Sequence, residues 1–375
     1  MHYLDNSATT PLCKEAVAAM TLAMERFGNP SSLHGLGAEA LIALDEARQS
    51  VAAYMGCEAK ELYFTSGGSE ANNTAVFGAV GAMKRRGKRI ITTAIEHHSV
   101  LNAAKRLESE GFEVVYLKPD SNGVVSAQSV ADALTDDTVL VSVMYVNNET
   151  GAIMPIRDIS AAIKASGCGA IFHSDCVQAL GKLPINARTL GADVITVSGH
   201  KVHAPKGVGA IYIKNGCRLL PLIYGGGQEK GMRSGTEPTL LIEGFKAALA
   251  AMPDVKGQLD KAAALRDATV SRLKELKGVT INSPQDGLPY IINLSVAGIR
   301  SEVMLHWLEA KGIYVSSGSA CAKGESSHVL GAMGISRQLA DSAIRISTSH
   351  FTTEADLDAL VTALSEGIDK LVRRR

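Results

Sequence analysis

Ala192-Asp-Val-Ile-Thr-Val-Ser-Gly-His-Lys-Val-His203 is the stretch on which the reading of the fold turns. Its first half, residues 192–197, is short, apolar and rich in β-branched side chains, as a buried strand would be. Its second half sets Lys201 just past that strand, among Ser198, His200 and His203 and ahead of Pro205 and Gly207. Open α/β sheets bind their ligands there, in the crevice beyond the carboxyl ends of the strands. Lysine also forms Schiff bases where its surroundings favour the neutral amine. From this stretch alone, a solvated lysine on a surface loop is an equally good reading.

Outward from that strand the chain alternates. Strand-like segments fall at 62–64, 89–93, 113–117, 139–146, 170–173, 194–197 and 209–213, and segments of helical spacing, such as 99–110 and 156–165, separate most of them. Another helix starts near Glu70. The alternation predicts an α/β fold, a mostly parallel seven-stranded sheet flanked by helices. Residues 139–146 carry few charges, as suits a central strand covered on both faces. After about residue 250 the character changes to a long amphipathic helix (254–277), a turn-rich break (284–289), strands at 290–296, 313–316 and 343–347, and helices at 302–311 and 353–372. This is a smaller α+β unit. The expected division is a large domain at 15–250 and a small domain formed by 1–14 and 251–375.

Composition narrows the class. The 375 residues are 46% hydrophobic and include 36 glycines, which suits a globular protein with many tight turns. Lys+Arg and Asp+Glu both number 38, so nothing points to nucleic acid or a membrane surface as the main partner. The opening Met1-His-Tyr-Leu-Asp-Asn6 has no basic stretch followed by an apolar one, so no signal peptide is expected. Apolar runs are strand-length, too short to span a bilayer. Six scattered cysteines without a Cys-x-x-Cys pair suggest neither a disulfide framework nor a zinc knuckle, and reduced thiols in the cytoplasm are the expectation.

Several segments can carry chemistry. In Phe64-Thr-Ser-Gly-Gly-Ser-Glu-Ala-Asn-Asn73, two glycines join a strand to a helix, so backbone N–H groups and Ser69 can receive a single phosphate at the positive helix end. It lacks the spacing of nucleoside triphosphate and dinucleotide loops, and an ordinary capped turn is the competing reading. His173-Ser-Asp-Cys-Val-Gln178 ends another strand, where Asp175 can pair with a buried cationic nitrogen or act as a helix N-cap, and Gln178 could reach the same ligand. Glu96-His-His-Ser99 follows a strand in the same way, and His97 can stack on an aromatic ligand or shuttle protons. His200 and His203 are spaced as His-x-x-His, but no third ligand lies nearby, so no metal site is expected. In the polar segment 225–236, Arg233 and Thr236 could serve an anion. Cys321 lies among small and polar residues with Lys323 close by, which suits a reactive thiol; Cys57, Cys168 and Cys217, beside glycines, compete with it. Arg345, on a β-branched strand, is either paired structurally or aimed at a carboxylate.

Together these pieces resemble one family across essentially the whole chain. Tyr3-Leu-Asp-Asn-Ser-Ala-Thr-Thr-Pro11, Gly28-Asn-Pro-Ser-Ser32 with His34, Thr65-Ser-Gly-Gly-Ser-Glu-Ala-Asn-Asn73, Val146-Asn-Asn-Glu-Thr-Gly151, Ser198-Gly-His-Lys201, Arg233-Ser-Gly-Thr236 and Ser316-Ser-Gly-Ser-Ala-Cys321 are similar to the motifs of the cysteine desulfurases. These are pyridoxal-phosphate (PLP) enzymes of fold-type I, in the class V aminotransferase group. The Ser-Gly-Ser-Ala-Cys version resembles the longer-loop branch that supplies iron–sulfur assembly and tRNA thiolation, although the segment from Cys321 to His328-Val-Leu330 is slightly shorter than usual and has no proline.

The resemblance implies a role for each residue. Lys201 would hold PLP and later move the substrate's α-proton; Asp175 would keep the pyridine nitrogen protonated; His97 would stack on the ring and assist proton transfer. Gln178 and Asn148 would contact the phenolic oxygen and the substrate side. Gly68, Ser69, Ser198 and His200 would hold the phosphate, with Thr236 from the neighbouring subunit of a homodimer. Arg345 would clamp the carboxylate of L-cysteine, and Cys321 would take its sulfur as a persulfide, release alanine and serve a sulfur-acceptor protein, an iron–sulfur scaffold or a tRNA-thiolating enzyme. A selenocysteine lyase or a class V aminotransferase is the alternative, but transamination needs no catalytic cysteine. A sulfur-trafficking scaffold without turnover is disfavoured by the presence of Lys201, Asp175 and His97.

Overall fold

The computed structural model describes residues 1–317 and 327–372. Its strands are β1 (His2–Tyr3), β2 (Leu62–Thr65), β3 (Arg89–Thr93), β4 (Glu113–Leu117), β5 (Thr138–Ser142), β6 (Ile171–Asp175), β7 (Val194–Ser198), β8 (Gly209–Ile213), β9 (Val279–Ile281), β10 (Ile291–Val296), β11 (Ile313–Tyr314) and β12 (Ala343–Ser347). Seven of them form one sheet in the order β2-β8-β7-β6-β5-β3-β4. Only β8 runs antiparallel to its neighbours within that sheet. The expected mostly parallel α/β sheet is therefore the fold.

Every residue of β5, β6, β7 and β8 is buried, which explains why these strands read as continuous apolar runs. Side chains leave β7 alternately. Val194 joins Ala71, Ala75, Ala79 and Ile90 under the helix Gly68–Met83, while Ile195 and Val197 join Phe172, Ile156 and Ile159 on the opposite face.

Because β2, β3, β5, β6 and β7 share one direction, their carboxyl ends open on one edge of the sheet. Thr65, Thr93, Ser142, Asp175 and Ser198 are the last residues of these strands. The segment 139–146 stops being a strand at Ser142. Met144 gives its N–H to the Glu96 carboxylate, and the Asn147 side chain closes a turn on the N–H groups of Glu149 and Thr150.

A second cluster packs Leu4, Leu273, Ile292, Leu294, Ile344 and Leu360 between the antiparallel sheet β12-β10-β9 and the helices Val255–Lys274, Ser301–Glu309 and Glu354–Val372. The first residues link this cluster to the large sheet. β1 pairs with β11, Asp5 bridges Ser347, and Thr10 and Cys13 bond the carbonyls of His200 and His203. The helices Lys14–Ala23, Gly35–Tyr54 and Thr239–Ala250 are not evident from the sequence pattern. The helix Gly35–Tyr54 buries Ala40, Leu44, Ala47 and Val51 yet exposes Leu36, Leu41 and Ile42, so its apolar residues do not mark one face. No described helix is long and apolar enough to cross a membrane.

Candidate active site

At the carboxyl edge a cavity of about 630 Å³ is lined by residues from the ends of five strands and from the first ten residues of the chain. Gly68, Ser69, His97, Asn148, Asp175, Gln178, Ser198, His200, Lys201 and Arg345 all line it.

One end is built to receive an anion. Gly67 holds φ +148, open to glycine, and the helix Gly68–Met83 begins without a side-chain cap, so its first N–H groups remain available. The backbone lies close: a Cβ on Gly209 would sit 2.8 Å from Gly67 Cα. Ser198 Oγ is buried beside this turn with no hydrogen-bond partner among the described residues. Such a set of donors at a helix start matches a phosphate group. Arg233 is not among them, because its guanidinium is paired with Glu70 at 3.0 Å. Thr236 is exposed and lies outside the lining of this cavity in its own chain.

A directed network of buried polar groups fixes the centre. Ser142 donates to His173 Nδ1 at 2.8 Å, and His173 Nε2 donates to Thr196 Oγ1 at 3.1 Å. Burial pushes His173 down to about 3, so the ring is neutral and each nitrogen has one role. Thr196 then donates to Asn72 Oδ1, and Asn72 Nδ2 donates to Asp175 Oδ2 at 2.7 Å and to Ser99 Oγ at 2.8 Å. Ser99 in turn meets His97 Nδ1 at 2.8 Å. His97 Nδ1 also accepts the Ser99 backbone N–H, which leaves the proton of the neutral ring on Nε2. Burial lowers the His97 pKa, and Asp175 opposes that effect. Asp175 caps no helix; its second oxygen accepts the Val177 N–H in a local turn.

The first residues complete the other side. Lys201 Nζ donates to the carbonyl oxygens of Ser7 and Ala8, the latter at 2.8 Å. Gln178 Nε2 donates to Ser7 O at 3.0 Å. Arg345, whose side chain is 2% exposed, pairs with Asp5 at 2.9 Å and donates to Asn148 O at 2.9 Å, while its buried Nε has no partner among the described residues. The structural pair of the sequence reading is present on one side of this arginine. Glu149 lines the cavity with its carboxyl raised to about 7 by burial, and it accepts a hydrogen bond from Ser327.

Cys321 lies outside the described residues. Its competitors are poor nucleophiles. Cys168 is buried, and burial pushes Cys57 and Cys217 each up to about 12. The residues sequence reading missed are Asp5, Asn72, Ser99, Glu149 and Lys182. Asn72 and Glu149 stand inside quoted motifs, whereas Lys182 has only its spacing, four residues beyond Gln178, to mark it.

The family model described as Aminotransferase class-V matches residues 2–360. A protein named cysteine desulfurase IscS, from Dictyoglomus turgidum, is 42% identical over 98% of this chain and 95% of its own length. A solved structure titled NifS-like protein superposes with a TM-score of 0.92 at 37% identity, covering 98% of this chain and 99% of that one. Another, SspA in complex with cysteine, gives 0.83 at 34% identity, covering 94% and 100%.

Proposed function

Because this chain belongs to the class-V aminotransferase family and, within it, to the PLP-dependent cysteine desulfurases, we propose that Lys201 prepares L-cysteine and Cys321 carries off its sulfur. The residues of the cavity fit PLP. The orphaned Ser198 hydroxyl and the uncapped helix start suit its phosphate, and the carboxylate of Asp175 suits its pyridine nitrogen. When bound, PLP supplies an electron sink for bond cleavage at the substrate carbons.

Gly68, Ser69, Ser198 and His200 hold the phosphate, joined by Thr236 of a second copy in a homodimer. Asp175, oriented by Asn72, would hold the pyridine nitrogen, and His97 would lie against the ring. Asn148 and Gln178 face the phenolic oxygen and the substrate. Arg345, which lines the cavity, would take the substrate carboxylate. Lys201 Nζ would be the covalent anchor of PLP and the group that moves the proton at the substrate α-carbon. The Cys321 thiolate attacks the substrate sulfur: the S–S bond forms, the carbon–sulfur bond breaks, and the carbon skeleton takes up a proton and leaves as alanine. The persulfide then passes to a cytoplasmic acceptor, an iron–sulfur scaffold or a tRNA-thiolating enzyme. In this reading residues 15–250 hold the cofactor, and 1–14 with 251–375 form the part that bears Cys321.

The convergence of Lys201, Asp175, His97 and the Ser198 hydroxyl on one cavity carries the reading. The test compares Lys201→Ala and Cys321→Ala after PLP loading. Lys201→Ala should lose the visible absorbance of the bound cofactor. Cys321→Ala should keep it, yet make no persulfide detectable as the mass of one added sulfur. Sulfide release from cysteine by Cys321→Ala at the wild-type rate would refute the role of that thiol.

A further inference from the structure

Lys182 is buried, 6% exposed, and its Nζ donates to Gln178 Oε1 at 3.2 Å. In its charged form that amine carries only donors, and the amide oxygen is the atom it faces. The opposite end of the amide faces the carbonyl of Ser7 at 3.0 Å, which can only accept. Two partners of opposite type therefore impose one orientation on a group that would otherwise rotate by a half-turn. Gln178 spends one N–H on Ser7, and the other is what it can offer to the cavity it lines.

The rest of the Lys182 surroundings supply no ordinary reason for a lysine. Its end borders a void of about 10 Å³ shared with Thr10, Lys201, His203, Met252, Tyr290 and His350, with no carboxylate in that lining. Among the described residues no Asp or Glu lies within ion-pair distance of it. Burial, with Lys201 and Arg345 nearby, holds the amine at about 7, far below an exposed lysine.

We propose that Lys182 is a positioning residue: it locks the Gln178 amide so that an N–H, not the oxygen, faces the phenolic oxygen of the cofactor. This rests on the reading of Gln178 given under Proposed function. A donor at that oxygen favours the more negative form of the bound cofactor, the form that has lost its proton. Without the lock only the Ser7 carbonyl orders the amide, the donor is present less of the time, and the cofactor gives up its proton at higher pH.

The experiment titrates the visible absorbance of the PLP-loaded holoenzyme against pH. Lys182→Met should still bind PLP and raise the absorbance midpoint by about 0.5–1 pH unit, the effect of a single hydrogen bond. Gln178→Ala should move it the same way, and Lys182→Arg, which keeps a donor, should stay at the wild-type midpoint. An unmoved midpoint in Lys182→Met beside a moved one in Gln178→Ala overturns the proposal. So does a Lys182→Arg midpoint displaced as far as that of Gln178→Ala, and this comparison stands even if Lys182→Met does not fold. If Gln178→Ala binds PLP with no shift, the reading of Gln178 itself fails.

Discussion

Glu96 stands one residue before His97, fully out of water, with one carboxylate oxygen bonded to Thr93 and the Met144 N–H and the other without a partner among the described residues. Burial raises its pKa from 4.5 to about 8, so the carboxyl is protonated in the folded protein near neutrality. The unfolded chain ionises it freely, so this contribution to stability is complete below about pH 4.5 and is lost as pH rises towards about 8. Glu96→Gln keeps the neutral shape and removes the ionisation. The thermal midpoint of the wild type should therefore fall across that range relative to Glu96→Gln, and parallel pH curves for the two would refute the assignment. At this scale legibility followed position along the chain. Asp175 and Lys201 could be read because each ends or directly follows a strand. Glu96 and Asn72 could not, because their partners, Met144 and Asp175, are distant in sequence and meet them only when the sheet closes.

Among the elements, the turn between β2 and the helix Gly68–Met83 depends on β8 as much as on its own residues. Gly209, the first residue of β8, lies so close that a Cβ there would meet Val197 O at 2.6 Å and Gly67 Cα at 2.8 Å, both backbone atoms. The collision moves the turn or the strand, at a cost of about 1–3 kcal/mol typical of overpacking. Gly209→Ala should therefore weaken PLP binding by roughly tenfold, measured by cofactor titration. Gly35→Ala, where a Cβ meets nothing within 4 Å, should leave it unchanged. The strand pattern of this sheet was legible because its strands are apolar and strand-length, and β8 falls where the sequence places it. Residues 143–146 were misread as strand because buried turns can be as apolar as the strands they leave. The helix Gly35–Tyr54 was hidden by its lack of a single apolar stripe.

Across the whole molecule, the first ten residues tie the two hydrophobic clusters to the site. They pair with β11, bridge β12, supply carbonyls to Lys201 and Gln178, and give Asp5 to Arg345. Deleting residues 1–9 removes all of these at once and leaves the buried Arg345 without its carboxylate, a loss of about 3 kcal/mol from that pair alone. The truncated protein should unfold at lower denaturant and hold PLP weakly; wild-type affinity with only the stability lowered would show that the segment is a brace and no part of the site. The sequence marks this segment through a motif, but nothing in its local pattern tells where it lies.

That placement also has a consequence for synthesis. Asn6 bonds the carbonyl of Ser347, a partner 341 positions later in the chain. The segment around Asn6 is therefore fully held only once β12 is in place, although the sheet between them can already pair strand by strand. A chain without β12 would own Lys201, Asp175 and the Ser7 and Ala8 carbonyls, yet lack the Ser347 and Arg345 partners that hold the first residues from the other side. A complete cavity thus waits for β12.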